Sequence, residues 1–506
     1  MQSRRDFLRA AAATGLVAAT RPWHLIDAYA DVAAAPPFEH VVVVMMENRS
    51  FDHFLGWLPG AVGRQAGLAY TDAKGDTYPT YDLKDDHQGC GYTDPDHSFT
   101  GFISEYNRGR LDGFLRAGKG GGPGDTFPIG YYTEPTVATL GGLARSYTLS
   151  DNYFCSIMAE TYPNRFYMHS GATDREVNGS QTCSLKTIWD SLSTAGLTGG
   201  YYFTDLPFLA LYPAGKYGSI MKDVSQFMVD AAAGTLPNVS FVDPALNAEG
   251  EGLSRDDHPH ADVTAGEYFL SQVYSAVRSS PLWSKTVMVI TYDEWGGFYD
   301  HVLPPHAMDS TVFTGPGPHA DPTQLGFRVP NVVISPFSPP GRIVQGGQPF
   351  DHTSILRMIE WRWNLPPLTT RTAHARNLAD MLDFRLARTD TPAIPSSPTL
   401  GAGACGPASR AATPPAPLAG VTGGPNGQPM PTSSPSPSPS APSGAAGANA
   451  AAAGLANTAG GTPGAVPAAA ATALLAGAYL GVRRRRLIGG AGAGEGLSSE
   501  ELIETV

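Results

Sequence analysis

His40-Val41-Val42-Val43-Val44-Met45-Met46-Glu47-Asn48 and Val287-Met288-Val289-Ile290-Thr291-Tyr292-Asp293-Glu294 are the two stretches whose reading decides the fold. Each begins as a continuous apolar run of strand length, without the polar alternation of a half-exposed strand, so each reads as a strand buried on both faces. Shorter runs of the same kind occupy Leu197 to Phe203, Pro237 to Val242 and Val329 to Ser335. Between them, Lys186 to Ala195, Ala261 to Ser279 and Ser354 to Trp363 show helical periodicity. The alternation predicts an α/β fold, a sandwich of helices around a mostly parallel central sheet.

Both long strands deliver oxygen ligands at their carboxyl ends, Glu47-Asn48 from one and Asp293-Glu294 from the other. In an open parallel sheet, ligands bind in the crevice beyond those ends. Either pair alone would serve equally as a helix cap, but the two together point to one site. Carboxylate and amide oxygens are hard donors that suit a divalent cation, with Zn, Mn, Mg and Ca all left open.

In Glu160-Thr161-Tyr162-Pro163-Asn164-Arg165, Pro163 fits the first turn of a helix running through His169. That places the Thr161 hydroxyl beside free backbone N–H groups and the positive helix end, where a phosphate is welcome. A threonine there is ordinarily a cap; a metal that lowered its hydroxyl pKa would make it a nucleophile. His258 lies in an Asp- and His-rich segment before the 261–279 helix, and His97, His301 and His352 occupy turn-like contexts. A single histidine is usually structural. Several near a metal would supply acid catalysis and charge stabilisation for phosphoester cleavage.

The 506 residues carry a net charge of -12 with no basic patch in the body, which argues against nucleic acid as a partner. Ser3-Arg4-Arg5-Asp6-Phe7-Leu8, a weakly apolar run and Ala28-Tyr29-Ala30 predict a twin-arginine signal over residues 1–30, hence the twin-arginine export machinery as a partner. A catalytic domain is expected over 36–390 and a disordered Pro/Ala/Gly/Ser-rich linker over 391–464. A transmembrane helix follows over 465–482, then a cytoplasmic tail over 483–506 that starts with Arg483 to Arg486. The chain is therefore expected on the outer face of the membrane or cell wall, held by this C-terminal anchor. Cys90, Cys155, Cys183 and Cys405 have no metal-binding spacing, and their pairing is not deducible.

Six segments carry a family resemblance: Glu47-Asn48-Arg49-Ser50-Phe51-Asp52-His53, Thr161-Tyr162-Pro163-Asn164-Arg165, His258-Pro259, Asp293 to Val302, Gly326-Phe327-Arg328-Val329-Pro330 and Asp351-His352-Thr353-Ser354. In this order they resemble the bacterial and plant non-specific phospholipase C family, which is similar to a secreted acid phosphatase family. The resemblance implies an alkaline-phosphatase-like α/β/α sandwich. It further implies a metal and phosphate centre of Glu47, Asn48, Asp293 and Glu294, with Thr161 as nucleophile and metal ligand, while His97 and His258 serve the phosphate. His301 and His352 match family motifs and are carried as catalytic candidates. The expected substrate is a phospholipid or a small phosphate ester. The rival readings are a broad acid phosphatase on the same site and a surface binding protein that has lost its chemistry.

Overall fold

The computed structural model describes residues 36–117, 125–247, 249–314, 319–397, 403–405 and 413–432. The chain separates into two units, residues 1–38 and 39–506, and every element named here lies in the second. The expected export signal, membrane helix and cytoplasmic tail lie outside the described residues. Among the described residues no helix is long and apolar enough to cross a membrane.

The central sheet has eight strands: β1 (His40–Met46), β2 (Thr148–Ser150), β3 (Gly199–Phe203), β4 (Met221–Asp223), β5 (Val239–Val242), β6 (Thr286–Tyr292), β7 (Asn331–Ile334) and β8 (Arg342–Val344). Their spatial order is β8-β2-β7-β6-β1-β5-β3-β4. β7 runs antiparallel to both neighbours, and every other adjacent pair is parallel. The five strands expected from sequence are all present, and the sheet is mostly parallel as expected. The direction of β7 was not readable, because an apolar run has the same pattern either way.

β1 and β6 are central neighbours in register, Met46 opposite Tyr292, so Glu47 and Asp293 leave the sheet side by side. All seven residues of β6 are buried, and since side chains alternate between faces, both faces must be covered. Among the described residues the α-helices are α1 (Phe51–Leu55), α2 (Phe99–Tyr106), α3 (Ala138–Ser146), α4 (Thr161–Ser170), α5 (Ile188–Thr194), α6 (Val224–Ala233), α7 (Val263–Ser279), α8 (His352–Arg362) and α9 (Thr370–His374). α7 packs with α3 and α6, while α4 packs with α5 and α8, and α8 with α9. Asp351 caps α8 through a capping box with Ser354, fixing where that helix begins behind the site.

The linker expected over 391–464 is corrected in part. Residues Val421–Gly423 and Pro429–Pro431 form an antiparallel hairpin that packs on a second hairpin, Ala69–Thr71 with Thr77–Pro79. Gly423 N–H donates to Thr71 Oγ1 at 2.8 Å, Leu418 N–H to the Thr77 carbonyl, and Asn426 N–H to the Arg110 carbonyl. Cys405 is bonded to Cys90, 315 residues away, which ties this strap to the body; Cys155 and Cys183 are free and buried. Composition suggested disorder because the strap has little apolar surface of its own. Its order comes from backbone pairing with a distant hairpin and from the crosslink, which lowers the entropy of the unfolded chain.

Candidate active site

The strand ends meet through backbone hydrogen bonds. Asp293 Oδ1 accepts from the N–H of Asn48 at 3.0 Å and from the N–H of Glu294 at 2.7 Å, so one carboxylate oxygen fixes both acidic turns. Asn48 takes up a left-handed conformation, φ 61°, which asparagine tolerates better than most residues. The turn after Glu294 needs Gly296, at φ 66°: a Cβ there would lie 2.0 Å from the Asn48 carbonyl oxygen. Close abutment of the two turns thus depends on a missing side chain.

Thr161 is the first residue of α4, and its hydroxyl lies 3.5 Å from Asn48 Oδ1. It is not the N-cap; that position is Glu160, which makes no side-chain cap. The ordinary reading of Thr161 as a cap therefore fails, and its buried hydroxyl faces the strand ends instead. Asn164 instead ties the preceding loop to α4, accepting from the N–H groups of Ser156 and Ile157 and donating to the Ala159 carbonyl. One helical turn after Thr161, the buried Arg165 reaches Glu47 at 3.0 Å, Asp293 at 3.3 Å and Asp243 at 3.5 Å.

His97 Nδ1 lies 2.5 Å from Glu294 Oε1, and its Nε2 lies 3.4 Å from Asp94. Burial opposes the charged imidazole, but Glu294 and Asp94 together hold its pKa well above the usual histidine range. His258 stands edge-on to His97 with ring centroids 5.7 Å apart, and its Nδ1 lies 3.0 Å from the Pro259 carbonyl. Its pKa is also raised: burial works against the charge, and Asp94 and Glu47 outweigh it.

Seven of the nine candidates, Glu47, Asn48, Asp293, Glu294, Thr161, His97 and His258, are therefore brought together. His352 lies beneath them: it is fully buried, with Nε2 2.7 Å from the Asp293 carbonyl oxygen and Nδ1 3.2 Å from the Tyr153 hydroxyl. The carbonyl requires Nε2–H as donor; burial pushes the ring's pKa down to about 4, which favours the neutral form with Nδ1 accepting from the Tyr153 hydroxyl. His301 is placed in another cluster, with Nδ1 2.5 Å from Asp52. Asp52 and Asp300 are there paired with the fully buried Arg328 at 3.1 and 3.0 Å.

Sequence reading passed over Arg165, Asp243 and Asp94. Asp243 follows β5, the neighbour of β1, so the strand-end argument already pointed to it. Arg165 stands four residues after Thr161, on the same helical face. Asp94 offered no signal beyond its three-residue spacing from His97.

The donor set fits a divalent cation. Burial raises Asp293 to about 6 and Glu294 to about 7, and it raises Glu47 and Asp243 as well. Among the described residues, these four buried carboxylates and Asp94 are answered by Arg165, His97 and His258, a deficit of positive charge that hard oxygen donors commonly meet with a metal. Among the described residues, the tightest groups of ligand atoms are Asp94–His97–His258 and Asp52–Asp300–His301. The second is already engaged by Arg328, which pairs with both of its aspartates. The first adjoins the strand-end set through the His97–Glu294 contact.

The chain resembles known proteins over most of its length. The chain is 34% identical over 372 residues to a non-specific phospholipase C1 of Arabidopsis thaliana, covering 67% of this chain and 70% of the relative. It is 29% identical over 471 residues to phospholipase C A of Mycobacterium tuberculosis, covering 79% and 89%. A solved alkaline phosphatase superfamily protein from Vibrio parahaemolyticus is similar over 67% of this chain and 69% of its own, at 12% identity and TM-score 0.33. The profile of the Phosphoesterase family matches residues 38–366, a span that holds every strand of the sheet and all of the converging residues. This chain, a phosphoric ester hydrolase, belongs to the Phosphoesterase family.

Proposed function

We propose that the protein is an exported phospholipase C that cleaves phosphatidylcholine-type lipids into diacylglycerol and a phosphorylated head group, with Thr161 as nucleophile. The observation that carries the reading is the Thr161 hydroxyl, buried at the start of α4 and turned toward Asn48 and the strand-end carboxylates. The names of the relatives support a phosphodiester substrate.

Glu47, Asn48, Asp293 and Glu294, with the Thr161 oxygen, would hold a divalent ion. Bound there, it supplies Lewis acidity that lowers the hydroxyl pKa and offsets the carboxylate charge. The N-terminal N–H groups of α4 and the Arg165 guanidinium favour the phosphoryl group beside Thr161. Thr161 Oγ bonds to phosphorus as the bond to the diacylglycerol oxygen breaks; the hydroxyl proton leaves to solvent, while His258 gives its own proton to the leaving alkoxide and regains one from solvent before the next turnover. Because its Nδ1 is turned to the Pro259 carbonyl, His258 has Nε2 for that transfer. His97, pinned between Glu294 and Asp94, stays cationic and stabilises charge on the phosphoryl oxygens. Water then cleaves the phosphothreonine bond, releases the head-group phosphate and restores the hydroxyl.

We also assign the chain to the outer face of the membrane, exported through its twin-arginine segment and tethered by residues 465–482. The Cys90–Cys405 bond supports this, since disulfides persist in oxidising compartments.

The test is turnover of the purified protein on phosphatidylcholine, p-nitrophenyl phosphocholine and p-nitrophenyl phosphate. Diester cleavage exceeding monoester cleavage supports the reading; the reverse makes the protein a phosphatase. Thr161→Ala should lower kcat by about a thousandfold or more, with an unchanged melting temperature. Substantial turnover by that variant would remove Thr161 from the nucleophile role.

A further inference from the structure

Among the described residues nine large apolar side chains are exposed. Five of them, Ile103, Val177, Leu303, Met308 and Val312, at 49%, 56%, 52%, 59% and 78%, sit on segments tied to the active site; Val62, Val229, Leu253 and Met430 are not part of that group. Val177 precedes Asn178, whose side chain accepts from Tyr162 N–H and whose N–H donates to Glu160, the two residues flanking Thr161. Ile103 lies on α2, which starts two residues after His97, on the same face as Phe99. Phe99 and Phe313 both pack on Ile157, Ala159 and Tyr167, around the start and middle of α4. Leu303 rests on Gly109, three residues beyond the end of α2.

The segment from Val302 to Thr314 contains no Lys, Arg or Glu. Its one carboxylate, Asp309, points inward: it accepts from the Tyr167 hydroxyl at 2.9 Å, pairs with Arg371 at 3.1 Å, and its side chain is 2% exposed. Asp309 also accepts from Thr311 N–H, closing a tight turn. This anchor on α4 fixes the loop and leaves Met308 and Val312 on the solvent side, so their exposure is built in. Glu176 pairs with His319 at 2.6 Å and accepts from Ala320 N–H, joining the Val177 loop to the far end of the same segment. Exposed apolar side chains on several segments linked to one site are the kind of surface that marks an interaction site.

We propose that Ile103, Val177, Leu303, Met308 and Val312 form an apolar rim that docks the active site onto a zwitterionic phospholipid surface, seating the head group against Thr161. This rests on the phospholipase C reading and adds the surface through which the substrate is reached. The lipid is zwitterionic because the rim loop carries no cation other than His306, and a chain of net charge -12 is repelled by anionic head groups.

The full chain carries its own apolar C-terminal segment, so bulk binding to vesicles would not isolate the rim; the test reads the rim directly. In Val312→Trp, emission added relative to the parent protein should be quenched by brominated phosphatidylcholine vesicles. In the triple variant Leu303→Ser, Met308→Ser, Val312→Ser, turnover on phosphatidylcholine vesicles should fall about a hundredfold, while turnover of p-nitrophenyl phosphocholine in solution stays within about twofold. The rim is overturned if the added tryptophan is unquenched, if vesicle turnover survives the triple change, or if both substrates fall together. Stronger quenching in anionic than in zwitterionic vesicles would also overturn it. Quenching without any release of diacylglycerol by the parent protein would uphold the rim and contradict the phospholipase C reading.

Discussion

Two buried acidic clusters stand in this fold, and they differ in how their charge is answered. At the strand ends, Glu47, Asp243, Asp293 and Glu294 share Arg165 and His97. Beside α1, Asp52 and Asp300 are answered by Arg328 and His301. In the second cluster one buried guanidinium pairs with both carboxylates, and Arg328 also donates to the carbonyls of Val62 and Asp151. It acts as a brace joining α1, the Asp300 turn and the start of β7. The first is left short of positive charge, which is what a cation-dependent site requires. Composition alone does not separate a site from a brace; charge balance does.

The sharpest way to break this comparison is Arg328→Met. Removing the cation strands two buried carboxylates, so the brace should lose about 3–5 kcal/mol of stability, read as a lower denaturant midpoint at unchanged m. A midpoint within experimental error of the parent would show that the brace is no brace. At the other cluster, Glu294→Gln removes a charge where negative charge is already in excess. Its midpoint in chelator should match or exceed the parent's, while kcat falls more than about a hundredfold. A large loss of stability in Glu294→Gln would put both clusters in one class.

Metal exchange sharpens the same contrast. Chelator should abolish turnover and lower the melting temperature, and divalent ion at about 100 times its Kd should return about 2.7 kcal/mol of stability. Glu294→Gln should lose that gain. The smallest effects separate two histidines that sequence grouped together. His352→Gln, beneath Asp293, should lower kcat about tenfold with little change in KM, because a group that orients a ligand acts through that ligand. His301→Asn should leave kcat within about threefold and cost about 1–2 kcal/mol of stability through its bond to Asp52.

Much of the site was legible because two uninterrupted apolar runs announce buried strands, and residues just past such strands have a predictable address. Glu47, Asn48, Asp293 and Glu294 were found that way, and Asp243 was open to the same argument. Arg165 was hidden, since a cation inside a helix reads as a solvated face unless its buried partners are known. His301 and His352 could not be told apart, because both sit in turn-like sequence and only packing shows that one supports Asp293 and the other Asp52. The strap over 413–432 was illegible for a deeper reason: its order is held by groups more than 300 residues away, and local composition carries no trace of them.

The central claim is that Thr161 becomes phosphorylated during turnover. Acid quench of the protein during steady-state cleavage of p-nitrophenyl phosphocholine, followed by mass analysis of the peptide containing Thr161, tests it directly. The account predicts phosphocholine on Thr161 in the parent protein, formed with release of nitrophenol, and no adduct in Thr161→Ala. Rapid turnover with Thr161 unmodified and the adduct on another residue, or on none, would contradict it.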